Sequence, residues 1–374
     1  MTAGVMRREI ASADGGAEFS LIKFLPSALT MTQDDSLYRN IYASLGLFGS
    51  FWQLLDWKLE ADIKKYLGDI PFGRGDIVFL FTEYEIANHF LVQRAKARGA
   101  KVFIVDEGIG TYIINNYPRV SKGSSLKQRI IGEVIRHGQG FHKSQRLTGN
   151  GTLYFPRLAD EYYDGYLLFY RFPIRRDIPQ VHVEMPGMGE PIPNLDRDAV
   201  ILLGEGLHGY HMNEGDYIRS LKMLAQAAAR SFKHVYFKFH HCELKVLDRP
   251  LFRDLQKQVR DLGINIIDFD KPVPVETLVP QLDFPPRFVV GYFSTALLNL
   301  FAAGCEPIFT CHLIKDKNFD FFVVEGLLDS IGYHLISSYD DINQDYTSGL
   351  TFDKIFSSGT TIGDFYRTVK DNRS

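Results

Sequence analysis

The chain has 374 residues, and 45% of them are hydrophobic, which is enough to bury the cores of two domains. Forty-two basic and forty-five acidic residues give a formal net charge of -3, which excludes a general electrostatic attraction to nucleic acid or to an anionic membrane. The three cysteines match no disulfide or zinc-finger spacing, which fits a reduced cytoplasmic location.

Signals for secretion or membrane insertion are not evident in the sequence. Residues 1–20 are polar and irregular and lack the continuous apolar core of a signal peptide. The longest apolar runs, such as 166–170 and 296–303, are far shorter than the roughly 20 residues that span a bilayer. We therefore expect neither a secretion signal nor a membrane span.

The first predicted elements are a strand, a helix and a second strand. The apolar run 76–81 predicts a buried strand, and residues 84–98 carry apolar side chains at helical spacing. Gly99 ends this helix, and the apolar run Lys101–Val105 predicts the next strand. Because the connections are short, the two strands are expected to be parallel.

A passage rich in proline and glycine, residues 185–193, separates the two halves of the chain. We place the domain boundary there, with domains at 1–190 and 191–374, and we expect the last helix to pack back on the first domain. Beyond this passage strands and helices alternate again, with strands predicted at 199–203, 234–237, 264–267, 288–290 and 307–310, and helices at 216–230, 250–262 and 294–303.

This alternation in both halves predicts an α/β protein with α/β/α layers. Two Rossmann-like domains facing each other across a cleft form the GT-B arrangement of many glycosyltransferases. The alternation alone is equally compatible with epimerases and many kinases.

The segment from Ser121 to Arg146 is strongly basic, although the chain as a whole carries a net negative charge. It contains six basic residues and one acidic residue, Glu133. Its apolar residues lie at roughly helical spacing, which predicts a basic amphipathic helix. Such a helix is either a solvated surface helix of the first domain or a face that touches anionic lipid or a glycolipid acceptor.

Two adjacent carboxylates, Asp106 and Glu107, precede Gly108 directly after the predicted strand Lys101–Val105. Catalytic groups in α/β sheets gather at this edge. Neighbouring carboxylates raise each other's pKa, as a general base for a sugar hydroxyl requires. An acidic pair before glycine is also a common turn signal.

The second half carries candidate phosphate ligands after a predicted strand. Lys238 and His240 stand there, and a lysine and a histidine can neutralise a phosphate. A metal site formed by His240, His241, Cys242 and Glu243 is the weaker alternative, because consecutive residues at a strand end point in different directions.

Hydroxylated and glycine-rich positions add to this set. Ser294 and Thr295 begin a predicted helix, where they serve either as a helix cap or, with free backbone amides, as a phosphate site. Gly204 and Gly206 allow close backbone approach, although no GxGxxG or P-loop motif occurs. Glu276 is a lone carboxylate that could accept hydrogen bonds from ribose hydroxyls.

Two DxD strings, at 196–198 and 268–270, suggest a divalent metal bound to a sugar nucleotide. Such strings also arise by chance among 45 acidic residues. We expect no metal site.

The order of these motifs resembles that of the bacterial sialyltransferases, most closely glycosyltransferase family 52, the lipooligosaccharide sialyltransferases. The resemblance spans roughly residues 76–310 and rests on an acidic-acidic-Gly motif, a histidine motif and a Ser-Thr motif. His241 stands where the family has proline, so this chain departs from the family pattern in that loop.

The resemblance implies roles for the candidate residues. Glu107 would be the general base, with Asp106 as second choice, while His240, Ser294 and Thr295 would hold the phosphate of CMP.

The remaining candidates would complete the donor site. Lys238 and Glu276 would flank the cytidine, with Glu276 on the ribose. Gly204, Glu205 and Gly206 would line the site through backbone groups.

The implied function is an inverting, metal-independent transfer of sialic acid, or a related nonulosonate, from a CMP-activated donor to a sugar hydroxyl of lipooligosaccharide or capsule. No cofactor is implied beyond this donor. Alternatives are polysialyl, pseudaminic or legionaminic acid transfer, a UDP-sugar epimerase, and a non-catalytic GT-B-like module that binds a glycan or nucleotide. The expected partners are CMP-sialic acid, a glycan acceptor, the cytoplasmic face of the inner membrane through residues 121–146, and a second copy of the chain in a homodimer, but no nucleic acid.

Overall fold

The computed structural model describes residues 2–17, 21–24, 38–41, 70–81, 86–106, 108–116, 160–185, 191–207, 212–240, 242–267, 273–315 and 319–371. The chain divides into two compact units. The first comprises Met1–Glu107, Ile114–Pro186 and Ser357–Ser374, and the second comprises Gly108–Ile113 and Gly187–Phe356. The main change of unit therefore lies at residue 186, within the proline- and glycine-rich passage, and the last helix belongs to the first unit.

Strands and helices alternate along much of the described part of the chain. The strands are β1 Leu21–Phe24, β2 Tyr38–Ile41, β3 Ile77–Leu80, β4 Lys101–Val105, β5 Gly165–Leu168, β6 Gln180–His182, β7 Asp196–Leu203, β8 His234–Lys238, β9 Asn265–Ile266, β10 Pro286–Gly291 and β11 Glu306–Phe309. The α-helices are α1 Thr2–Ala13, α2 Ile86–Ala97, α3 Ile109–Asn116, α4 Glu214–Ser231, α5 Pro250–Asp261, α6 Val275–Leu278, α7 Thr295–Ala302, α8 Phe319–Ser330, α9 Phe352–Ile355 and α10 Ile362–Asp371.

The first unit contains a four-stranded parallel sheet in the order β3-β4-β5-β6. The predicted strand-helix-strand of residues 76–105 is confirmed as β3, α2 and β4. Gly99 follows α2 with φ of +82°, a conformation that glycine adopts without strain. The carboxylate of Asp164 joins these elements, because it accepts hydrogen bonds from Lys96 Nζ at 2.8 Å and from the Val102 N–H at 2.6 Å.

The N-terminal residues form a helix in the first unit, so the prediction that they are irregular is wrong. Helix α1 packs on α10, and Gly363 makes this close approach feasible. A Cβ at Gly363 would lie 3.0 Å from Ala13 Cβ and 3.1 Å from the Glu9 carbonyl oxygen. The Lys370 ammonium also pairs with Asp14 beside this contact. The helical signal is weak in the sequence because α10, more than 300 residues away, supplies the packing partner.

The second unit contains a five-stranded parallel sheet in the order β11-β10-β7-β8-β9. Its central strand β7 is fully buried from Ala199 to Leu202, as parallel strands covered on both faces are. The α/β class is therefore confirmed in both units. The chain runs from β7 outward through β8 to β9 and then returns to the other side of β7 as β10, which creates a switch point between β7 and β10.

Several predicted features lie outside the described residues. They are Glu107, His241, the basic segment 121–146 and the second DxD string at 268–270. The first DxD string, at 196–198, forms the beginning of β7. Among the helices that the structure describes, none combines the length and the apolar character needed to cross a bilayer.

Candidate functional site

The candidate site lies at the carboxyl ends of β7, β8 and β10 in the second unit. Leu203, Lys238 and Gly291 are the last residues of these neighbouring strands. Ligands of open α/β sheets bind outside the carboxyl ends of strands at a switch point. Three motifs follow these strand ends: the glycine motif Gly204–Gly206, the histidine motif at His240 and the Ser-Thr motif at Ser294 and Thr295. The fold therefore places all three at this edge.

Glu243 lies beneath the site as a fully buried carboxyl group, with 0% of its surface exposed. It accepts hydrogen bonds from the His240 N–H at 2.6 Å, from the Gly206 N–H at 3.3 Å and from the Tyr217 hydroxyl. A Cβ at Gly204 would lie 2.1 Å from Glu243 Oε2, so this position requires glycine. The sequence pattern suggested Glu243 only as a weak metal ligand, whereas the structure shows that it holds two loops of the site together.

Glu205 extends from the end of β7 to the turn that follows β10. Its carboxylate accepts the Tyr292 N–H at 2.6 Å and the Phe293 N–H at 3.0 Å. Gly291 leaves room for this contact, because a Cβ there would lie 2.4 Å from Glu205 Oε1. The expectation of free backbone amides before α7 is therefore wrong for Tyr292 and Phe293.

Both carboxyl groups, the fully buried Glu243 and the half-buried Glu205, have strongly perturbed acidity. Burial raises the pKa of Glu205 to about 7, against the lowering effect of its backbone hydrogen bonds, and the charge of Glu243 raises it further. Burial likewise raises the pKa of Glu243 to about 7, although Tyr217 donates a hydrogen bond to it. Burial also lowers the pKa of Lys238, which the charges of Glu276 and Glu243 oppose. The site therefore contains groups that titrate near neutral pH.

The two hydroxyl groups of the Ser-Thr motif accept hydrogen bonds from different parts of the chain. Ser294 is the N-cap of α7 and accepts the Ala296 N–H at 3.3 Å. Thr295 Oγ1 accepts the Ile109 N–H at 3.0 Å. Gly108 lies against Thr295 with φ of +110°, and a Cβ there would lie 2.1 Å from Thr295 Oγ1. The glycine of the acidic-acidic-Gly motif is thus a packing requirement of the Ser-Thr motif.

His240 and Glu276 are held by neighbours of the site. His240 Nδ1 accepts the Cys242 N–H at 3.3 Å, so a neutral ring carries its hydrogen on Nε2. Glu276 Oε1 accepts a hydrogen bond from Asn299 Nδ2 at 2.8 Å, which ties α6 to α7.

Asp106 lies in the first unit, at the end of β4, and only 3% of its surface is exposed. Its Oδ2 accepts the Phe169 N–H at 3.3 Å, and its N–H donates to the Leu167 carbonyl oxygen at 2.9 Å. These contacts tie Asp106 to the end of β5. The adjacent base candidate, Glu107, lies outside the described residues.

Several hydrogen-bond donors lie at this edge of the sheet. The Ser294 and Thr295 hydroxyls, the His240 ring and the Lys238 ammonium stand at the edge of the same sheet. Cationic and hydroxyl donors of this kind hold phosphate oxygens. Within the described ranges, no group of three or more His, Cys, Asp or Glu side chains is arranged to hold a metal ion.

Comparison with known proteins places these features in context. The family model described as alpha-2,8-polysialyltransferase (POLYST) matches residues 56–304. No curated protein matches the chain significantly in sequence.

Solved structures show only distant similarity. A mutant of S. aureus TarM in complex with Fondaparinux, alpha-GlcNAc-glycerol and UDP is 10% identical with a TM-score of 0.39, and the match covers 84% of this chain. The chain spans 55% of the length of that TarM chain. A glycosyltransferase from Rickettsia africae is 12% identical with a TM-score of 0.36, and the match covers 91% of this chain and 84% of that one.

Proposed function

Because the chain belongs to the alpha-2,8-polysialyltransferase (POLYST) family, we propose that it is a glycosyltransferase that moves sialic acid, or a related nonulosonate, from a CMP-activated donor to a sugar hydroxyl. The observation that carries this proposal is the meeting of the glycine, histidine and Ser-Thr motifs at one switch point. That edge offers donors for a single phosphate, as a CMP-activated sugar requires. The family description favours chain extension, in which the acceptor is itself a sialic acid.

The second unit would bind the donor. The Ser294 and Thr295 hydroxyls and the His240 ring would hold the phosphate, with the N-terminal end of α7 adding a favourable field. Glu276 would accept hydrogen bonds from the ribose, and Lys238 would flank the cytidine. These roles use side chains at the ends of β8 and β10 and one side chain of α6.

The proposed reaction is an inverting displacement. The acceptor oxygen attacks the anomeric carbon while the bond from that carbon to the CMP phosphate breaks, and Glu107 takes the acceptor proton. CMP leaves with added negative charge, which the phosphate ligands stabilise by preorganised hydrogen bonds. Glu107 is bonded directly to Gly108, the residue that packs on Thr295, and this connectivity supports its role as base. The proposed transfer needs no metal ion.

The proposed setting is the cytoplasm, where CMP-activated sugars would meet a glycan acceptor of lipooligosaccharide or capsule. Contact with the inner membrane through residues 121–146 and assembly as a homodimer belong to the same proposal. Neither involves nucleic acid.

Transfer and nucleotide binding test the proposal separately. Glu107→Gln should abolish transfer from CMP-sialic acid and leave the affinity for CMP nearly unchanged, since it removes the base and keeps the shape. His240→Ala should weaken CMP binding as well as turnover. A screen of CMP-activated nonulosonates against candidate acceptors would identify the sugar, and release of CMP with none of them would contradict enzymatic transfer.

A further inference from the structure

The turn between β10 and α7 is already occupied by a negative charge from the protein itself. Backbone N–H groups before a helix form the usual cradle for a phosphate in α/β folds. In this chain the Glu205 carboxylate accepts the Tyr292 N–H at 2.6 Å and the Phe293 N–H at 3.0 Å. An internal carboxylate therefore fills the position that an anionic ligand would otherwise take.

Glu205 is anchored on both sides. Its own backbone N–H donates to the Tyr217 hydroxyl at 2.9 Å, and Tyr217 in turn donates to the buried Glu243. The missing side chain at Gly291 leaves the space in which Glu205 Oε1 lies. A bound phosphate would have to displace this carboxylate from two hydrogen bonds and from a space shaped for it.

We propose that Glu205 is a specificity-determining residue, which limits the donor site to a single phosphate and rejects nucleoside diphosphates. The inference rests on the proposed function, since it concerns the same donor site. A first phosphate can bind the hydroxyls of Ser294 and Thr295 and the ring of His240. A second phosphate would need the amides that Glu205 occupies and would bring its charge against the Glu205 carboxylate.

Charge repulsion of this kind discriminates strongly. Like charges brought together at an interface weaken binding, and a tenfold loss of affinity corresponds to about 1.4 kcal/mol. A nucleoside monophosphate avoids this cost because its one phosphate stays on the side-chain donors. The same device would exclude free pyrophosphate while admitting inorganic phosphate.

The experiment compares CMP with CDP, which differ only in the second phosphate. Isothermal titration at about pH 8, where Glu205 with its pKa of about 7 is ionised, should show that the wild-type chain binds CDP more weakly than CMP by at least about tenfold. Glu205→Gln should bring the two affinities close together, mainly by strengthening CDP. Asp261→Asn is the matched control, because it also removes one negative charge, but at the end of α5, which leads to the amino end of β9 and not to the carboxyl edge of the sheet. This variant should keep the wild-type ratio of CMP to CDP affinity.

Two results would overturn the role of Glu205. One is equal or tighter binding of CDP by the wild-type chain, and the other is a wild-type ratio in the neutral variant. Glu205→Ser provides a second neutral variant should Glu205→Gln fail to fold, and Glu205→Asp, which keeps the charge, should still discriminate.

A parallel comparison of UMP with UDP separates this inference from the proposed function. Tighter binding of UMP than of CMP would contradict a CMP-activated donor. Rejection of UDP relative to UMP, lost in Glu205→Gln, would still support the role of Glu205. Discrimination that is absent for both nucleotide pairs would overturn the inference.

Discussion

Gly108→Ala is the perturbation that most directly tests how the acidic-acidic-Gly and Ser-Thr motifs fit together. The new Cβ would lie 2.1 Å from Thr295 Oγ1 and 2.4 Å from Thr295 Cγ2, so the threonine must move. The φ of +110° adds roughly 1–3 kcal/mol of backbone strain for a residue with a side chain. Displacing Thr295 also removes the acceptor of the buried Ile109 N–H, which costs about 1–3 kcal/mol. We expect a loss of about 2–5 kcal/mol in the free energy of unfolding.

Gly110→Ala is the matched control, two residues along the chain. Gly110 is exposed in α3, and a Cβ there meets no atom within 4 Å. Alanine stabilises a helix relative to glycine by roughly 0.5–1 kcal/mol, so this variant should be neutral or slightly more stable. Urea denaturation followed by circular dichroism measures both variants.

A third variant identifies Thr295 as the cause. In a Thr295→Ala background the two closest atoms are gone, so Gly108→Ala should cost at least about 1 kcal/mol less than in the wild-type chain. An unchanged cost in that background, or equal effects of the two glycine substitutions, would refute the packing argument. Loss of sialyl transfer in Gly108→Ala without loss of stability would refute it equally.

Two further predictions concern the carboxyl groups of Glu243 and Asp164. Glu243 keeps its proton in the folded chain up to its raised pKa of about 7, whereas the unfolded carboxyl ionises near the ordinary 4.5, so the free energy of unfolding should fall as pH rises through that window. Glu243 contributes roughly 3 kcal/mol to this fall, and Glu205 contributes in the same window because its pKa is also about 7. Glu243→Gln should therefore remove the share of Glu243 and leave that of Glu205, as urea denaturation at about pH 5 and pH 8 would show. An unchanged pH dependence would contradict burial of Glu243. In the first unit, Asp164→Ala should cost about 1–3 kcal/mol because it removes the acceptor of both Lys96 and the Val102 N–H. Lys96→Met should cost less, about 0–1 kcal/mol, because it removes only a partly exposed ion pair, and the reverse order in denaturant experiments would show that the backbone contact is not the important one.

The sequence predicted the strands and helices that position the site. Strands β4, β7 and β10 each contain a continuous apolar run, at 102–105, 199–203 and 288–290, because parallel strands are covered on both faces, and these runs can be recognised in the sequence. Helix α5 was equally clear from Pro250 at its start and Gly263 after its end. The residues Gly204–Gly206, His240 and Ser294–Thr295 each follow the end of a predicted strand. Their common location at one edge of the second sheet could therefore be expected from the order of elements alone.

Short or unusually supported elements could not be predicted from the sequence. Strand β5 has only four residues, and it pairs with β4, which lies far earlier in the chain. The hydrogen bond from the Val102 N–H to Asp164, residues that are 62 positions apart, shows this separation. Strand β6 has only three residues, which is too few for an alternation of apolar and polar side chains to be recognised in the sequence. Such strands are stable only because the neighbouring strand supplies their hydrogen-bond partners.

The composition and periodicity by themselves determined the α/β class, the parallel sheets and the edge at which the candidate residues lie. Only the tertiary structure decided what those residues do there. Glu205 meets the Tyr292 N–H across 87 residues, and Thr295 meets the Ile109 N–H across 186. Whether a carboxylate faces solvent, a ligand or a buried amide depends on chain segments that are distant in sequence, and local patterns and propensities do not connect such segments. For that reason the sequence suggested Glu243 only as a weak metal ligand, whereas in the folded chain it accepts hydrogen bonds from three donors.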